Sequence, residues 1–583
     1  MIVITRKTPR ALLASTSALA LALGGALVVS SPATAASFTA NDETELAAAI
    51  TAANAAADLD TITLTDNILL TADLPSITES LEIIGNGYSI DGGGYDVFYD
   101  DDATSITNLT FTGVSVMNTE AAIVTSYSIT VSITDSVFED ALVDIYGDGG
   151  NTLDVTGSEF NNASDGHGLS VSVRDISDVT IEGSSATGNS RNGFDINLVI
   201  NSTMSLTGST ANNNSRNGFE VDAGLDAVAT LSGLTATGNT FSGLRGIADV
   251  ASTITVSDST FSESGGFGVV LNPTDDSTIS LERIASHGND GGIRINDSGY
   301  VGDHSTVTIT GCTIDGNDET GIFIIDGGAG LSNPGATSLD ITVQDSTISN
   351  NVSTTAGGIF AALSDASSLS IDNSTISGNE QFRPSAVTIA GTSDPTASVS
   401  FTHSTIVDNH STTPSSIGFV GGVTLAQVQY EIDHSIIAGN TSGGAPSDFI
   451  FGGGPLPTGT VNFSLVQVPF GSAGIAVDAG TGNLKNMGAQ LGALANNGGP
   501  TLTHLPQDGS PVINVGNPAI TGAPATDQRG QTRIVGTIDL GAVEVQPALA
   551  ATGADAALPI AGGALALGLG ILLLLVRRRA LRR

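Results

Sequence analysis

The sequence has no tryptophan, a single cysteine and few aromatic residues: Phe, Tyr and Trp together make up 4% of its 583 residues. The lone cysteine, Cys312, excludes an internal disulfide framework. The shortage of aromatics, with only 7 Tyr, leaves few rings on which a sugar could stack. Bases are scarce as well. There are 18 Lys and Arg against 59 Asp and Glu, a formal net charge of −41. Such a surface repels nucleic acid, anionic lipid and acidic polysaccharide, which excludes nucleic acid as a partner and leaves divalent cations favoured.

What is present is a repeat. A slot of Ser, Thr and Ile followed by an Asn turn reads DSTISNN from Asp345, NSTISGN from Asn373, HSTIVDN from His403 and HSIIAGN from His434. Its second residue falls at Ser184, Ser209, Leu234, Ser259, Ile284, Cys312, Ser346, Ser374, Ser404 and Ser435, with the first four steps all 25 residues long. Each unit holds short β-branched runs between turns of Gly, Asn, Asp and Ser, with no room for an ordinary helix. In GFDI from Gly193 and GFEV from Gly218, Phe194 and Ile196 share one face while Asp195 points the other way. Such a unit buries its apolar face only by stacking on copies of itself, which predicts an all-β parallel β-helix solenoid. The Ser slot should form an inward column. Beside it should stack the turn residues Asn189, Asn214, Asn239, Asn289, Asn317, Asn350, Asn379, Asn409 and Asn440, chosen for their tolerance of left-handed angles. Cys312 occupies the Ser column and reads as a small buried residue. Over roughly residues 60–450 the chain resembles right-handed parallel β-helix proteins with pectate-lyase-type repeats. That resemblance implies the fold and leaves function open among enzymes, adhesins and stalks.

Both ends carry other signals. Residues 1–36 read as a secretory signal peptide: Arg6, Lys7 and Arg10, an apolar stretch, then Ala33-Thr34-Ala35. Residues 37–60 predict an N-terminal capping helix with Asp42 as N-cap and Glu45 three residues on, plugging the first rung of a β-helix over 61–450. In residues 451–545, the strings LGALANNGGPTLTHLPQDGSPVINVGNP from Leu491 and TDQRGQTRIVGTIDLGAVE from Thr526 resemble the choice-of-anchor Q module. That module implies a terminal cap and a surface-anchored protein. A tether, 546–555, holds Leu549-Ala550-Ala551-Thr552-Gly553. An uncharged span, 556–576, and a basic tail, 577–583, follow. Together these three resemble a Gram-positive sorting signal of the LAxTG variety. The resemblance implies a class E-type sortase as partner, cleavage between Thr552 and Gly553, and attachment to cell-wall peptidoglycan after a stage held by the membrane span. A plain membrane anchor is the alternative. Either places the body of the protein outside a Gram-positive, actinobacterial-type cell.

Four constellations bear on chemistry. Gly166-His167-Gly168 resembles the GHG motif of β-helix polygalacturonases, but no Asn-Thr-Asp precedes it and no Arg-Ile-Lys follows it. The string also occupies the place of an ordinary turn and strand. Asp195, Glu220 and Arg245 should form one outward column, with the two carboxylates near retaining-glycosidase spacing or forming a surface charge ladder. His403 and His434 share a slot expected to face solvent, where two stacked imidazoles suit a metal. Acidic turns, Asp100, Asp101 and Asp102 first and Asp275 and Asp276 second, are candidates for structural Ca²⁺. The leading expectation is a non-enzymatic, wall-anchored surface protein acting in adhesion or as a scaffold, with a glycan or host matrix as ligand. The alternative is an extracellular polysaccharide lyase or hydrolase. A pair of acids with a basic subsite in one concave face would favour the enzyme, and an all-acidic, cleft-free face the scaffold.

Overall fold

Each 25-residue unit folds into one turn of three parallel strands, and its corners explain the repeat. A computed structural model describes residues 35–55, 58–100, 106–125, 130–297, 304–327, 338–364, 366–382, 385–391, 396–412 and 420–546. In the most regular region a turn runs through Thr203–Thr207, Thr210–Asn212 and Phe219–Leu225, and the next through Val228–Ser232, Thr235–Thr237 and Leu244–Ala248. Every strand pairs in register with its counterpart one turn on: Thr203 with Val228, Thr210 with Thr235, Phe219 with Leu244. The result is an all-β, right-handed parallel β-helix with one continuous apolar core. Period-two alternation puts Met204 and Leu206 inside and Thr203, Ser205 and Thr207 outside. Core rings stack from turn to turn, as Phe194 and Phe219 do at 5.3 Å.

The first corner needs a residue with positive φ, and the residue before each column Ser supplies it: Gly183 (57°), Gly208 (58°), Asp345 (53°), His403 (48°) and His434 (47°). The Ser that follows is buried and fully bonded. Ser184 Oγ donates to Glu182 O (3.1 Å) and accepts from Ser158 N (3.2 Å), while Ser184 N donates to Ser209 Oγ (3.2 Å). The column extends beyond its expected ends, to Ser136 and Ser158 upstream and Ser464 downstream. Cys312 fills one place in it. Ile284 N donates to its Sγ (3.4 Å), and burial pushes the thiol up to about 12.

At the second corner the Asn residues form a buried ladder. Asn189 Nδ2 donates to Asn214 Oδ1 (2.9 Å) and to Phe160 O (3.0 Å). The ladder runs on through Asn239, is interrupted at Ser264, resumes at Asn289 and Asn317, and ends at Asp448 Oδ1, which accepts from Asn440 Nδ2 (2.9 Å). Two expectations are corrected here. The ladder member on its rung is Asn351, not Asn350. The left-handed angle belongs to the residue before each ladder Asn, as at Gly188 (72°), Asn213 (54°) and Asn350 (55°), and not to the ladder Asn itself. A left-handed corner followed by an inward amide turns the chain while satisfying the buried backbone N–H of the preceding rung.

The N-terminal cap contains more than a helix. Ser37–Ala40 first pairs with Asp60–Leu64 as an extra strand. The helix Glu43–Ala53 then closes the core with Leu46, Ala49, Ile50 and Ala53. Asp42 Oδ1 accepts from Glu45 N (2.9 Å). At the other end, in-register pairing continues past residue 450 to Leu484–Lys485. The chain then doubles back and lies on the short-strand face of the last rungs. This is why Thr347–Ser349, Thr375–Ser377 and Thr405–Val407 are buried throughout, whereas Thr210–Asn212 alternates. The residues making the contact come from the strings that stood out in the sequence. His504 Nε2 bonds Ser377 Oγ (2.7 Å), Thr375 Oγ1 donates to Gln528 Oε1 (2.6 Å), and Ala542 N donates to Thr405 Oγ1 (2.9 Å). Arg533 is wholly buried, among Glu544, Asp527, Asp372 and Asp539.

Candidate functional site

The string around His167 is a turn followed by a strand, in register with its neighbours: Leu169 pairs with Phe194, and Phe194 with Phe219. Gly168 is a stacking residue like Gly193 and Gly218. A Cβ on it would meet Gly193 O at 2.7 Å, and one on Gly193 would meet Gly218 O at 2.7 Å. Gly168 is thus a structural residue, and what distinguishes this rung is Gly166 where the next turns carry Arg191 and Arg216, and His167 in a slot otherwise filled by Asn192 and Asn217.

That His comes together with the acidic column. His167 Nε2 lies 3.6 Å from Asp195 Oδ2, and the His167 side chain is only 15% exposed. Its Nδ1 is buried without a partner. Asp195, Glu220 and Arg245 follow one another in register as expected. Asn192 Nδ2 donates to both carboxylates, to Asp195 Oδ1 at 2.7 Å and to Glu220 Oε2 at 2.8 Å. This shared amide holds Asp195 Oδ1 and Glu220 Oε2 on one donor, so the two carboxylates lie side by side on adjacent rungs. Asn217 Nδ2 adds a bond to Glu220 Oε2 (2.9 Å), and Arg245 forms an ion pair with Glu220 Oε1.

The two carboxylates differ in surroundings. Burial raises the Asp195 carboxyl above its ordinary range, with His167 and the Asn192 amide opposing. Burial lowers the His167 imidazole, and Asp195 opposes this. Glu220 has the guanidinium beside it. Asp222, the next outward position, is raised by burial and then by Asp249. Along the rim Arg191, Arg216 and Phe241 stack, joined by Arg216 N to Arg191 O (3.2 Å) and Phe241 N to Arg216 O (3.1 Å). The Phe241 side chain is 54% exposed. Against Gly166 opens a cleft of about 600 Å³, lined by Asn118, Thr119, Asp140, Ser164 and Asp165 among others. Two acids, a neutral-leaning imidazole and arginines thus share one face beside a cleft.

Other expected sites do not assemble. His403 and His434 do not face solvent. Their rings stack at 5.3 Å under the C-terminal segment, where His434 Nε2 accepts from Asn517 N (2.9 Å) and both side chains are buried. They are left-handed corner residues covered by the returning chain, which removes the open face that a metal pair needs. Asp100 is buried at 7% exposure, while Asp101 and Asp102 lie outside the described residues. Asp276 Oδ1 accepts from His304 N (3.1 Å). Among the described residues no group of three or more His, Cys, Asp or Glu is placed to hold a metal ion. The signal peptide core, the sorting motif Leu549 to Gly553 and the apolar span also lie outside the described residues. Among the described ones no helix is long and apolar enough to cross a membrane. The meeting of His167 with Asp195 was missed in sequence. The signal for it was there: the 25-residue step linking Asn192 and Asn217, carried back one turn, lands on His167.

These observations define a right-handed parallel β-helix bearing a charged strip on one outward face. Residues 95–248, 223–338 and 300–448 match the right handed beta helix region family, and the chain belongs to that family. Among solved structures it is similar to the A-module of the Azotobacter vinelandii mannuronan C-5 epimerase AlgE6. The identity is 15%, over 75% of this chain and 97% of that one, with a TM-score of 0.31. It is similar also to the periplasmic alginate epimerase AlgG (11%, 57% and 83%, TM-score 0.30) and to pectate lyase Pel9A (14%, 74% and 88%, TM-score 0.29). No curated protein matches the sequence.

Proposed function

We propose that the chain is an extracellular polysaccharide-directed protein whose reactive centre is the strip of His167, Asp195, Glu220 and Arg245. The observation that carries this reading is the single Asn192 amide shared by Asp195 and Glu220. It holds two carboxyls of unlike environment at one spacing, the arrangement that separates an acid from a base. Asp195, whose carboxyl burial raises, is the member of the pair suited to protonate the leaving glycosidic oxygen. Glu220, ion-paired with Arg245, attacks the anomeric carbon as the C–O bond breaks. Water then releases the sugar and returns a proton to Asp195. His167, at 3.6 Å from Asp195 Oδ2, faces the acid and opposes the effect of its burial. The chain's net charge favours a neutral glycan over a uronan.

The protein is further proposed to be exported and displayed on a Gram-positive cell wall by a class E-type sortase acting at Thr552. Thr552→Ala is expected to move the protein from the wall fraction to the membrane fraction. Unchanged wall attachment would refute sorting at this motif. The activity is tested by incubating the exported chain, with Ca²⁺, against neutral and acidic polysaccharides and assaying reducing ends and unsaturated products. New reducing ends from a neutral glycan, lost by more than a hundredfold in Glu220→Gln, support the reading. No product from any member of the panel would sink it. A second reading, a non-catalytic adhesin or scaffold, is favoured by one observation: Asn192 and Asn217 give both carboxylates partners, as a purely structural ladder would.

A further inference from the structure

The outward column that carries Asp195, Glu220 and Arg245 does not stop there. In-register pairing continues it through Val270, Arg294, Phe323 and Phe360. Past Phe360 it is covered, because Thr388 and Thr424 are only 9% and 7% exposed. Within the open stretch the character changes from acidic to apolar. Phe323 and Phe360 are half-buried outward rings stacked at 5.1 Å and 14°. Arg294 lies over Phe323 (5.7 Å) and over Phe267 (5.9 Å), so its guanidinium is fixed against two ring faces.

We propose that Phe323, Phe360 and Arg294 form a second subsite for the same polysaccharide, one that binds an uncharged pyranose segment through its C–H face. This inference rests on the strip being the polysaccharide-directed centre. Its own observation is independent: an outward aromatic and arginine cluster on the same column, in a chain with 19 Phe and no Trp. Five turns separate Glu220 from Phe360, roughly 24 Å at ~4.8 Å per turn. An extended glycan advances by about one turn per sugar, so a chain held at the strip reaches the rings without bending. The stacked rings offer apolar surface, and the fixed guanidinium offers N–H donors to ring hydroxyls. A column with no carboxylate between Arg245 and Phe360 suits a neutral sugar, and its single Arg294, already held over two rings, gives a uronate little to pair with.

The test is affinity of the full exported chain for soluble neutral β-glucans and for polyuronates, measured beside turnover. The Phe323→Leu/Phe360→Leu pair keeps the apolar bulk and loses the rings, and Phe323→Ala/Phe360→Ala loses both. Where the Ala pair fails to fold, the Leu pair decides. Both are expected to weaken binding of neutral glycan about tenfold, while Glu220→Gln keeps affinity and loses turnover. Wild-type affinity in the Leu pair would overturn the subsite and leave the strip standing. Tighter, salt-sensitive binding of polyuronate than of β-glucan would overturn the neutral-sugar assignment. Failure of the wild-type chain to bind any member of the panel would overturn the strip and the subsite together.

Discussion

Asn351→Ala removes one link of the buried amide ladder, and its cost can be worked from the bonds. Asn351 Oδ1 accepts from Asn317 N (3.1 Å) and Asn317 Nδ2 (2.8 Å), and Asn351 Nδ2 donates to Ile314 O (3.2 Å) and Asn379 Oδ1 (2.9 Å). After truncation Asn317 Nδ2 keeps Ser286 O, and Asn379 Oδ1 keeps the backbone N–H of residue 351. Asn317 N loses the amide that satisfied it. One stranded buried donor and three further lost bonds amount to about 4 kcal/mol. The neighbouring Asn350→Ala removes no ladder bond. It puts alanine, which lacks the local hydrogen bonding that lets Asn tolerate this region, at φ 55°, at about 1 kcal/mol, and Asn350→Gly relieves that strain. Urea unfolding should therefore rank Asn351→Ala far below Asn350→Ala. Amide hydrogen exchange should place the loss in the rungs around Asn317 and Asn379, because a solenoid transmits damage only to adjacent turns. Equal costs for the two variants, or a loss under ~1 kcal/mol in Asn351→Ala, would refute the ladder as the element that fixes this corner.

Three more outcomes follow from buried groups. Burial pushes Asp345 and Asp448 up to about 6 and Glu544 up to about 7. Their folded values exceed the unfolded ones, so their contribution is complete below about pH 4 and is lost as pH rises through 6 to 7. Tm should fall from pH 5 to pH 8; Asp448 is worth about 3 kcal/mol over the whole range from about pH 4 upward, about half of it above pH 5. The lowered imidazole of His403 acts the other way, costing stability only below its ordinary range. A Tm that rises across pH 5 to 8 would contradict this. Cys312→Ser should change stability by less than about 1 kcal/mol, since Ser already fills this column, and native Cys312 should resist thiol reagents at pH 8 until the rungs unfold. Rapid labelling of the folded chain would refute its burial. Gln528→Ala removes the side chain that accepts from Thr375 Oγ1 and donates to Ser346 O and Thr347 Oγ1. It should speed proteolysis within residues 489–546 while leaving the rungs before 300 protected, and uniform protection would show that this clasp is not what holds the segment.

Much of the fold was legible because a solenoid writes its contacts into a period. The Ser column, the outward Asp195–Glu220–Arg245 file and the capping helix all depend on residues one step apart or nearer, and a fixed step exposes them. The ladder was misassigned by one residue at Asn350 because Asn serves two purposes at this corner, the left-handed turn and the inward amide, and the two stand side by side. His403 and His434 were misread for a different reason. A period describes rung against rung, but their cover comes from Asn517 and Gly541, whose pairing with rung residues obeys no period. The same holds for Gln528 and His504. At the candidate site, the sequence sets His167 between glycines and Asp195 in a strand. Only their shared step connects them.

The docking of the C-terminal segment also bears on the proposed display at a cell surface. That segment occupies the short-strand face of the rungs from Thr347 to Ile436, whereas the strip lies on a different strand of each turn, near Asp195 and Glu220. From Glu220 to Ile450 on the outward column is eight turns, roughly 38 Å at ~4.8 Å per turn. The anchor proposed beyond residue 546 would therefore hold the molecule by the end remote from the strip and by a face the strip does not use. In a chain where each turn contacts only its neighbours, disturbance of the clasp decays before it reaches His167. Loosening the clasp with Gln528→Ala should therefore leave glycan affinity unchanged, whereas a change in the rungs around Asn192 should alter affinity and leave the clasp intact. Coupled loss of both in Gln528→Ala would mean that the returning segment shapes the strip, and that the face carrying the site extends to the end of the helix.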